Sequence, residues 1–241
     1  MNEFEFPRAY LAIDDSAHEG AIKKARMIEG VEGNYGIKLN LDLILRGSQI
    51  ITEIGEITGR PVFTDLKMNN GKRTMRELVQ EMADRGAKMV NAYVQADRLL
   101  YDAIKTAEDN GMIFLGVTVT THFDDDYCQK YYRRSLIETV GFLAQRAVDL
   151  GCHGYILPGT MLKFVSDVGG LKFIPATRPS WFVDKKTNDQ EQLCQPGEAI
   201  MNLADMVSCG SPVFKSPDPK KALRLILEEV DAAWDKRNNK E

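Results

Sequence analysis

The sequence lacks any long apolar run. A membrane-spanning helix needs about 20 consecutive apolar residues, and no stretch of the 241 residues approaches that length. The chain starts with the acidic segment Met1-Asn2-Glu3-Phe4-Glu5, which has no signal-peptide apolar region. We therefore expect a cytoplasmic protein that has no membrane partner.

Cysteine and histidine are scarce and show no metal-binding pattern. The four cysteines match no zinc or redox spacing, and we expect free thiols in a reducing compartment. There are only three histidines, and no cluster with acidic residues has ligand spacing. The run Asp124-Asp125-Asp126 is interpreted as a solvated acidic stretch. Walker and G-x-S-x-G motifs are also missing, so we predict neither a metal nor another cofactor.

A strong excess of positive charge is missing as well. The net charge is −4 and the isoelectric point is about 5.6. Proteins that grip nucleic acid electrostatically carry basic surfaces, so we expect no nucleic-acid partner. An anionic ligand would have to be held by local positive charge.

What the sequence does contain is an alternation of short apolar runs with amphipathic helical patterns. The length suits a barrel of eight strand–helix units, which needs about 250 residues, and 44% of the residues are hydrophobic. We predict an α/β fold, a (β/α)8 TIM barrel, with residues 1–241 in one domain. The predicted strands are Ala9–Ile13, Tyr35–Leu39, Val62–Leu66, Met89–Ala92, Ile113–Val119, Gly154–Leu157, Lys172–Pro175 and Met206–Cys209.

The stretches between these strands predict helices and two long loops. Asp42–Gly55 and Leu136–Leu150 are examples of the helical patterns, and Gly55 is expected to end the first of them. The long connections cover about 120–134 and 176–195. Both follow strands, so both are predicted to be lid-like loops at the C-terminal face of the barrel.

Charged residues end three of the predicted strands. Asp14 follows the first, Lys38 lies at the end of the second, and Asp65 and Lys67 close the third. Side chains alternate along a strand, so Asp65 and Lys67 should point the same way. Lysine and aspartate are rarely buried unless paired, and C-terminal strand ends usually serve a ligand. The pattern predicts a ligand site, with a purely structural ion pair as the alternative.

Several segments resemble one known family, that of orotidine 5′-phosphate decarboxylase, and they occur along the chain in the order that the family shows. Asp65 to Asn70 resembles its D-x-K-x-x-D motif. The other segments are Leu11-Ala12-Ile13-Asp14, Ile37-Lys38-Leu39, Val117-Thr118-Val119-Thr120-Thr121, Ile174-Pro175-Ala176-Thr177-Arg178-Pro179, Asp189-Gln190 with Gln195-Pro196-Gly197-Glu198-Ala199, and Ala204-Asp205-Met206-Val207-Ser208-Cys209-Gly210-Ser211-Pro212.

The resemblance implies a lyase of pyrimidine biosynthesis that converts orotidine 5′-phosphate to UMP and CO2 without a cofactor. It implies a homodimer with shared active sites and a pyrimidine nucleotide as substrate. Lys67 would be the proton donor in a catalytic set with Lys38, Asp65 and Asn70. The substrate-binding residues would be Asp14 and Thr74 at the ribose, with Thr74 serving the neighbouring subunit, Thr121 at the base, and Gln190 and Gly210 at the phosphate. His122 could also contact the base. At the phosphate, the Ser211 hydroxyl could bind, and Arg178, Lys215 or Arg73 could compensate for an arginine that the family has at position 211.

The chain departs from the family pattern at functional positions. Asn70 stands where the family has an aspartate, and Ser211 stands where it has a phosphate-binding arginine. Asn40 and Tyr93 replace a glycine and a histidine. Two alternatives therefore stay open: a nucleotide-binding protein with altered activity, and a Mg²⁺-dependent phosphosugar lyase. Relatives of the latter kind hold the metal with a glutamate on the second strand, where this chain has Lys38.

Overall fold

Eight parallel strands close into a barrel in the computed structural model, which describes residues 6–182 and 194–239. Each strand pairs with the next along the chain, and the last pairs with the first. This confirms the predicted (β/α)8 fold. The strands are β1 (Ala9–Ala12), β2 (Tyr35–Leu39), β3 (Val62–Met68), β4 (Met89–Tyr93), β5 (Ile113–Val117), β6 (Gly154–Ile156), β7 (Leu171–Ile174) and β8 (Met206–Cys209).

Amphipathic helices surround the barrel and bury their apolar faces against it. In α7 the buried residues recur every three or four positions, and a capping box of Ser135 and Glu138 fixes its start. The helices are α1 (His18–Met27), α2 (Leu41–Arg46), α3 (Gln49–Thr58), α4 (Lys72–Asp84), α5 (Tyr101–Asp109), α6 (Asp125–Tyr132), α7 (Leu136–Asp149), α8 (Pro196–Met201), α9 (Ser211–Phe214) and α10 (Pro219–Asn238), with 3-10 turns at Val94–Leu100 and Gly159–Phe164.

Aromatic side chains fill the inside of the barrel. Tyr10, Phe63 and Phe173 meet there with ring centroids 5.2 to 5.9 Å apart. All three are buried, and neighbours along the same strands, such as Leu11, belong instead to the core between barrel and helices. This layer closes the barrel interior below its C-terminal mouth.

Three local predictions need correction. The pattern Asp42–Gly55 is not one helix, because Gly47 adopts a φ of +79° between α2 and α3. Gly55 lies inside α3, and Gly59, at a φ of +63°, ends that helix instead. The segment 120–134 is not all loop, since it contains α6. Most of the second lid-like segment, 176–195, lies outside the described residues.

Two predictions from composition can be compared with the structure. Within residues 6–182 and 194–239 no helix combines the length and apolarity needed to cross a bilayer. The four cysteines are free thiols, and three of them are buried.

Candidate active site

A cavity of about 670 Å³ opens at the C-terminal mouth of the barrel. The strand ends supply its walls, and Phe63 and Phe173 contribute to its lining from the aromatic layer below. Most of the side chains proposed from the sequence line this one cavity: Asp14, Lys38, Asp65, Lys67, Thr121, His122, Arg178, Gly210 and Ser211. The topology gathers them because all eight parallel strands end at the same face.

Four of these residues form a continuous chain of alternating charges. Lys38 Nζ lies 3.4 Å from Asp14 Oδ2 and 2.9 Å from Asp65 Oδ2. Lys67 Nζ lies 2.7 Å from the other oxygen, Asp65 Oδ1. The Asp65 carboxylate is therefore held between two ammonium groups. We call Asp14, Lys38, Asp65 and Lys67 the charged array.

The centre of the charged array is buried. The side chains of Lys38 and Asp65 are only 9% and 8% exposed. Burial by itself would lower the pKa of Lys38, but the carboxylates of Asp65 and Asp14 raise it above its ordinary value. Burial would raise the pKa of Asp65, but the charges of Lys38 and Lys67 and hydrogen bonds from Lys67 and Asn91 lower it. Each charge thus keeps its neighbour ionised.

Two asparagine amides complete the surroundings of Asp65. Asn91 Nδ2 donates to Asp65 Oδ1 at 2.7 Å, and Asn91 Oδ1 accepts the backbone N–H of Lys67 at 2.7 Å. Asn40 Nδ2 donates to the Asp65 carbonyl oxygen at 2.6 Å. Sequence reasoning missed Asn91 and gave Asn40 no role. The available signal was a single amide within the apolar strand that contains Met89, Val90 and Ala92.

The end of β1 is fixed in an unusual conformation around Asp14. Asp14 has a φ of +32°, which non-glycine residues rarely adopt. Lys24 Nζ donates to the carbonyls of Ile13 and Asp14, and the N–H of Asp15 donates to Asp42 Oδ1 at 2.7 Å. Burial raises the pKa of the Asp42 carboxyl, and the hydrogen bond from the Asp15 N–H offsets part of this rise. Lys24 and Asp42 were not singled out from the sequence.

The part of the cavity after β7 and β8 combines cations with a close backbone contact. Arg178 and Lys215 both line it, and Arg178 Nη1 donates to the carbonyls of Ala176 and Thr177. A Cβ atom on Gly210 would lie 2.6 Å from the Ala12 carbonyl oxygen, so only glycine fits there. Ser211 begins α9 directly after it. This region could hold an anionic group through local positive charge.

The cavity wall also contains a phenol. Tyr93 lines it from the end of β4 and is half-buried. Burial, together with the negative charge of Asp65, raises the pKa of Tyr93, so the phenol stays neutral at neutral pH.

Two sequence-derived site residues, Asn70 and Thr74, are not brought into the cavity of the single chain. Asn70 and Thr74 are exposed, and neither lines it; Asn70 Oδ1 accepts the N–H of Gly71 in its own loop. The resemblance assigned both residues to a site shared with a neighbouring subunit, and those roles stay predictions. Gln190 lies outside the described residues.

The described part of the chain contains no evident metal centre. There, no group of three or more His, Cys, Asp or Glu side chains is arranged to hold a metal ion. In the charged array, every carboxylate is paired with an ammonium group.

The fold and the charged array define a (β/α)8 barrel protein with a charged cavity at its C-terminal mouth. The chain belongs to the Orotidine 5′-phosphate decarboxylase / HUMPS family, whose sequence profile matches residues 7–226.

Similar proteins carry the name orotidine 5′-phosphate decarboxylase. That of a Methylobacterium species is 29% identical over 232 residues, covering 94% of this chain and 96% of the relative. That of Rhodospirillum rubrum is 28% identical, covering 94% of each chain. The crystal structure of the Lactobacillus acidophilus enzyme has a TM-score of 0.77 at 21% identity, covering 94% of this chain and 100% of that chain. This last similarity supports the fold alone.

Proposed function

We propose that this protein is a metal-free decarboxylase that converts orotidine 5′-phosphate to UMP and CO2. The observation that carries the proposal is the charged array, a buried sequence of ion pairs open to a cavity. Family membership and the names of the relatives supply the substrate.

The array suits a reaction in which a carboxylate disappears and a proton arrives. The bond between C6 and the substrate carboxylate would break, CO2 would leave, and the electron pair would stay on C6. Lys67 Nζ would then donate a proton to C6 and regain one from solvent. The ionised Asp65 would repel the substrate carboxylate, and this repulsion is relieved as neutral CO2 forms.

The remaining residues would bind and orient the nucleotide. Asp14 would accept hydrogen bonds from the ribose, and Thr121 and His122 would face the base. Arg178, Gly210 and Ser211 would lie at the phosphate, with Gln190 reaching it from the segment outside the described residues. We also propose a cytoplasmic homodimer, in which Asn70 and Thr74 complete the partner's site.

The test is an assay of purified protein for the loss of orotidylate absorbance. Wild-type protein should consume the substrate, and Lys67→Ala should not. Lys105→Ala is the matched control, because Lys105 is an exposed lysine that pairs with Asp109 on α5.

Calorimetry with UMP separates binding from turnover. Tight binding without turnover would favour the nucleotide-binding alternative with altered activity. If the protein neither binds UMP nor consumes orotidylate, the proposed substrate class is wrong. The chain would then share only its fold with the named enzymes.

A further inference from the structure

We propose that Asn91 is a positioning residue that fixes the proton donor Lys67 against Asp65. This inference rests on the proposed function for the role of Lys67, but its geometric basis is independent of any substrate. Asn91 is completely buried and does not line the cavity, so it would act through the two residues that it binds.

The first observation is an irregularity in the pairing of β3 with β4. Thr64 pairs with Val90, and the next paired residues are Met68 and Ala92. Between these pairs, Asp65, Leu66 and Lys67 on β3 face the single residue Asn91 on β4. Such bulges leave backbone groups without a ladder partner and redirect side chains, often next to active sites.

The second observation is the backbone of Lys67, which has a φ of +50°. A non-glycine residue keeps that conformation only when its surroundings impose it. The carboxamide of Asn91 supplies the constraint, because its Oδ1 accepts the Lys67 N–H at 2.7 Å. The side chain thus replaces the strand partner that the bulge removes.

The third observation is that the same carboxamide also binds Asp65. Asn91 Nδ2 donates to Asp65 Oδ1 at 2.7 Å, and Lys67 Nζ binds that same oxygen. One rigid planar group therefore holds the backbone of the proton donor and the carboxylate that orients its ammonium group. An apolar side chain of similar size could make neither contact.

The charged and titratable groups around Asp65 come from neighbouring strands. Lys38 on β2 binds its second oxygen, and Asp14 after β1 lies on the far side of Lys38. Lys67 comes from β3 itself, and Tyr93 on β4 lies close enough for its pKa to be raised by Asp65. Asn91 is the uncharged member of this set, so it adds hydrogen bonds without adding to the charge balance.

The first test compares Asn91→Ala with wild type, using Thr118→Val as the matched control. Thr118 is also a buried polar residue, and its hydroxyl donates to a neighbouring strand, at the Ile156 carbonyl, away from the charged array. In Asn91→Ala we expect kcat to fall on the order of 100-fold, the typical loss when a catalytic group is displaced by about 1 Å. KM should change little, because Asn91 does not line the cavity. Thr118→Val should keep both constants.

A second variant gives a signature that lost packing cannot produce. Asn91→Asp keeps an acceptor oxygen for the Lys67 N–H. Its other carboxyl oxygen, however, takes the place of the Asn91 amide nitrogen that donates to Asp65 Oδ1 at 2.7 Å, so two carboxyl oxygens meet there. That contact requires a shared proton. Turnover by this variant should therefore recover as pH falls and decline as pH rises, whereas a change in packing alone would leave the pH profile unchanged.

A third measurement needs no turnover. A carbon-13 NMR titration of the aspartate carboxyls, with Asp65 assigned by comparison with Asp65→Asn, should show a higher pKa for Asp65 in Asn91→Ala. The cause is the loss of one hydrogen bond to the ionised form. If wild type is inactive but this shift appears, the proposed function fails and the positioning contact stands.

Three results would overturn the inference. They are an unchanged Asp65 titration in Asn91→Ala, wild-type kcat in that variant, or a normal pH profile in Asn91→Asp. If Asn91→Ala fails to fold, Asn91→Asp at low pH still tests the contact, because its protonated form restores both hydrogen bonds.

Discussion

Replacing the carboxylate at the centre of the charged array should destabilise the protein strongly. In the native protein the two oxygens of Asp65 accept three side-chain donors, from Lys38, Lys67 and Asn91. Asp65→Asn preserves the shape but offers one acceptor oxygen and turns an NH2 group toward a donor. It also leaves the Lys38 ammonium, 9% exposed, without its nearest counter-charge.

The size of the effect follows from distance and burial. Two unit charges 2.9 Å apart attract by roughly 6 kcal/mol at an effective dielectric constant of about 20. Part of this attraction offsets the desolvation of both groups in the native state. Removing one partner of a buried pair typically costs about 3–5 kcal/mol, because the other charge stays buried. We expect the free energy of unfolding at pH 7 to fall by about that amount.

Equilibrium urea unfolding, followed by tryptophan fluorescence, measures this change. Asp109→Asn is the control, since the pair of Lys105 and Asp109 has a similar distance of 3.0 Å but side chains 72% and 60% exposed. Solvent screens exposed pairs, so the control should be close to wild type. If Asp65→Asn is as harmless as the control, the charged array does not stabilise this fold and our electrostatic reasoning is wrong.

The stability contributed by the Asp65 carboxylate should depend on pH. The folded protein lowers the pKa of Asp65, so the stabilisation is present above the unfolded value of about 3.9 and is lost as pH falls through the folded value. The difference between wild type and Asp65→Asn should therefore shrink in acid. It should also shrink at high pH, because Lys38 in the variant can lose its proton and remove the uncompensated charge.

Four further predictions concern the proposed reaction. Lys67→Ala should abolish decarboxylation without unfolding the barrel, because the proton donor is lost while Lys38 and Asn91 still bind the Asp65 carboxylate. Its loss of stability in urea should be smaller than that of Asp65→Asn, since the Lys67 side chain is 31% exposed. Retained turnover would remove Lys67 from the mechanism. EDTA should leave turnover unchanged, whereas loss that Mg²⁺ reverses would indicate the phosphosugar branch. Ser211→Arg should tighten nucleotide binding roughly 10- to 150-fold, because a charge-assisted contact is worth about 1.5–3 kcal/mol; weaker binding in calorimetry would contradict this. Asn70→Asp should raise kcat, and slower turnover in steady-state kinetics would contradict that prediction.

The sequence predicted the barrel well because the barrel depends on local patterns. Each strand is a short apolar run ended by turn residues, and the eight predicted runs fall on the eight strands observed. The break between α2 and α3 was missed because Gly47 lies inside a pattern that is otherwise continuous and amphipathic. A glycine within a helical pattern does not reveal whether the backbone adopts a positive φ there.

The sequence predicted those site residues that lie at the C-terminal ends of the strands. Asp14, Lys38, Asp65 and Lys67 meet because parallel strands end at one face of the barrel. The expectation that regular alternation aligns Asp65 with Lys67 was incomplete, since the two are brought together within a bulge. Asn91 could not be found in this way, because its role depends on the register between β3 and β4.

The charged array and Asn70, which departs from the family pattern, are expected to have different roles. Three side-chain donors, from Lys38, Lys67 and Asn91, bind the Asp65 carboxylate within the described part of the chain, so Lys67 is held against Asp65 without Asn70. A carboxylate at position 70 would therefore not be needed to hold Lys67 in place. Its proposed effect is on a substrate bound next to the array, through repulsion that disappears as CO2 forms. Asn70→Asp should accordingly raise kcat, and steady-state kinetics of the variant and wild type measure the change. An unchanged or lower kcat would refute the repulsion argument. In the isolated chain Asn70 is exposed and accepts a hydrogen bond only within its own loop, from the Gly71 N–H, so the substitution should not prevent folding.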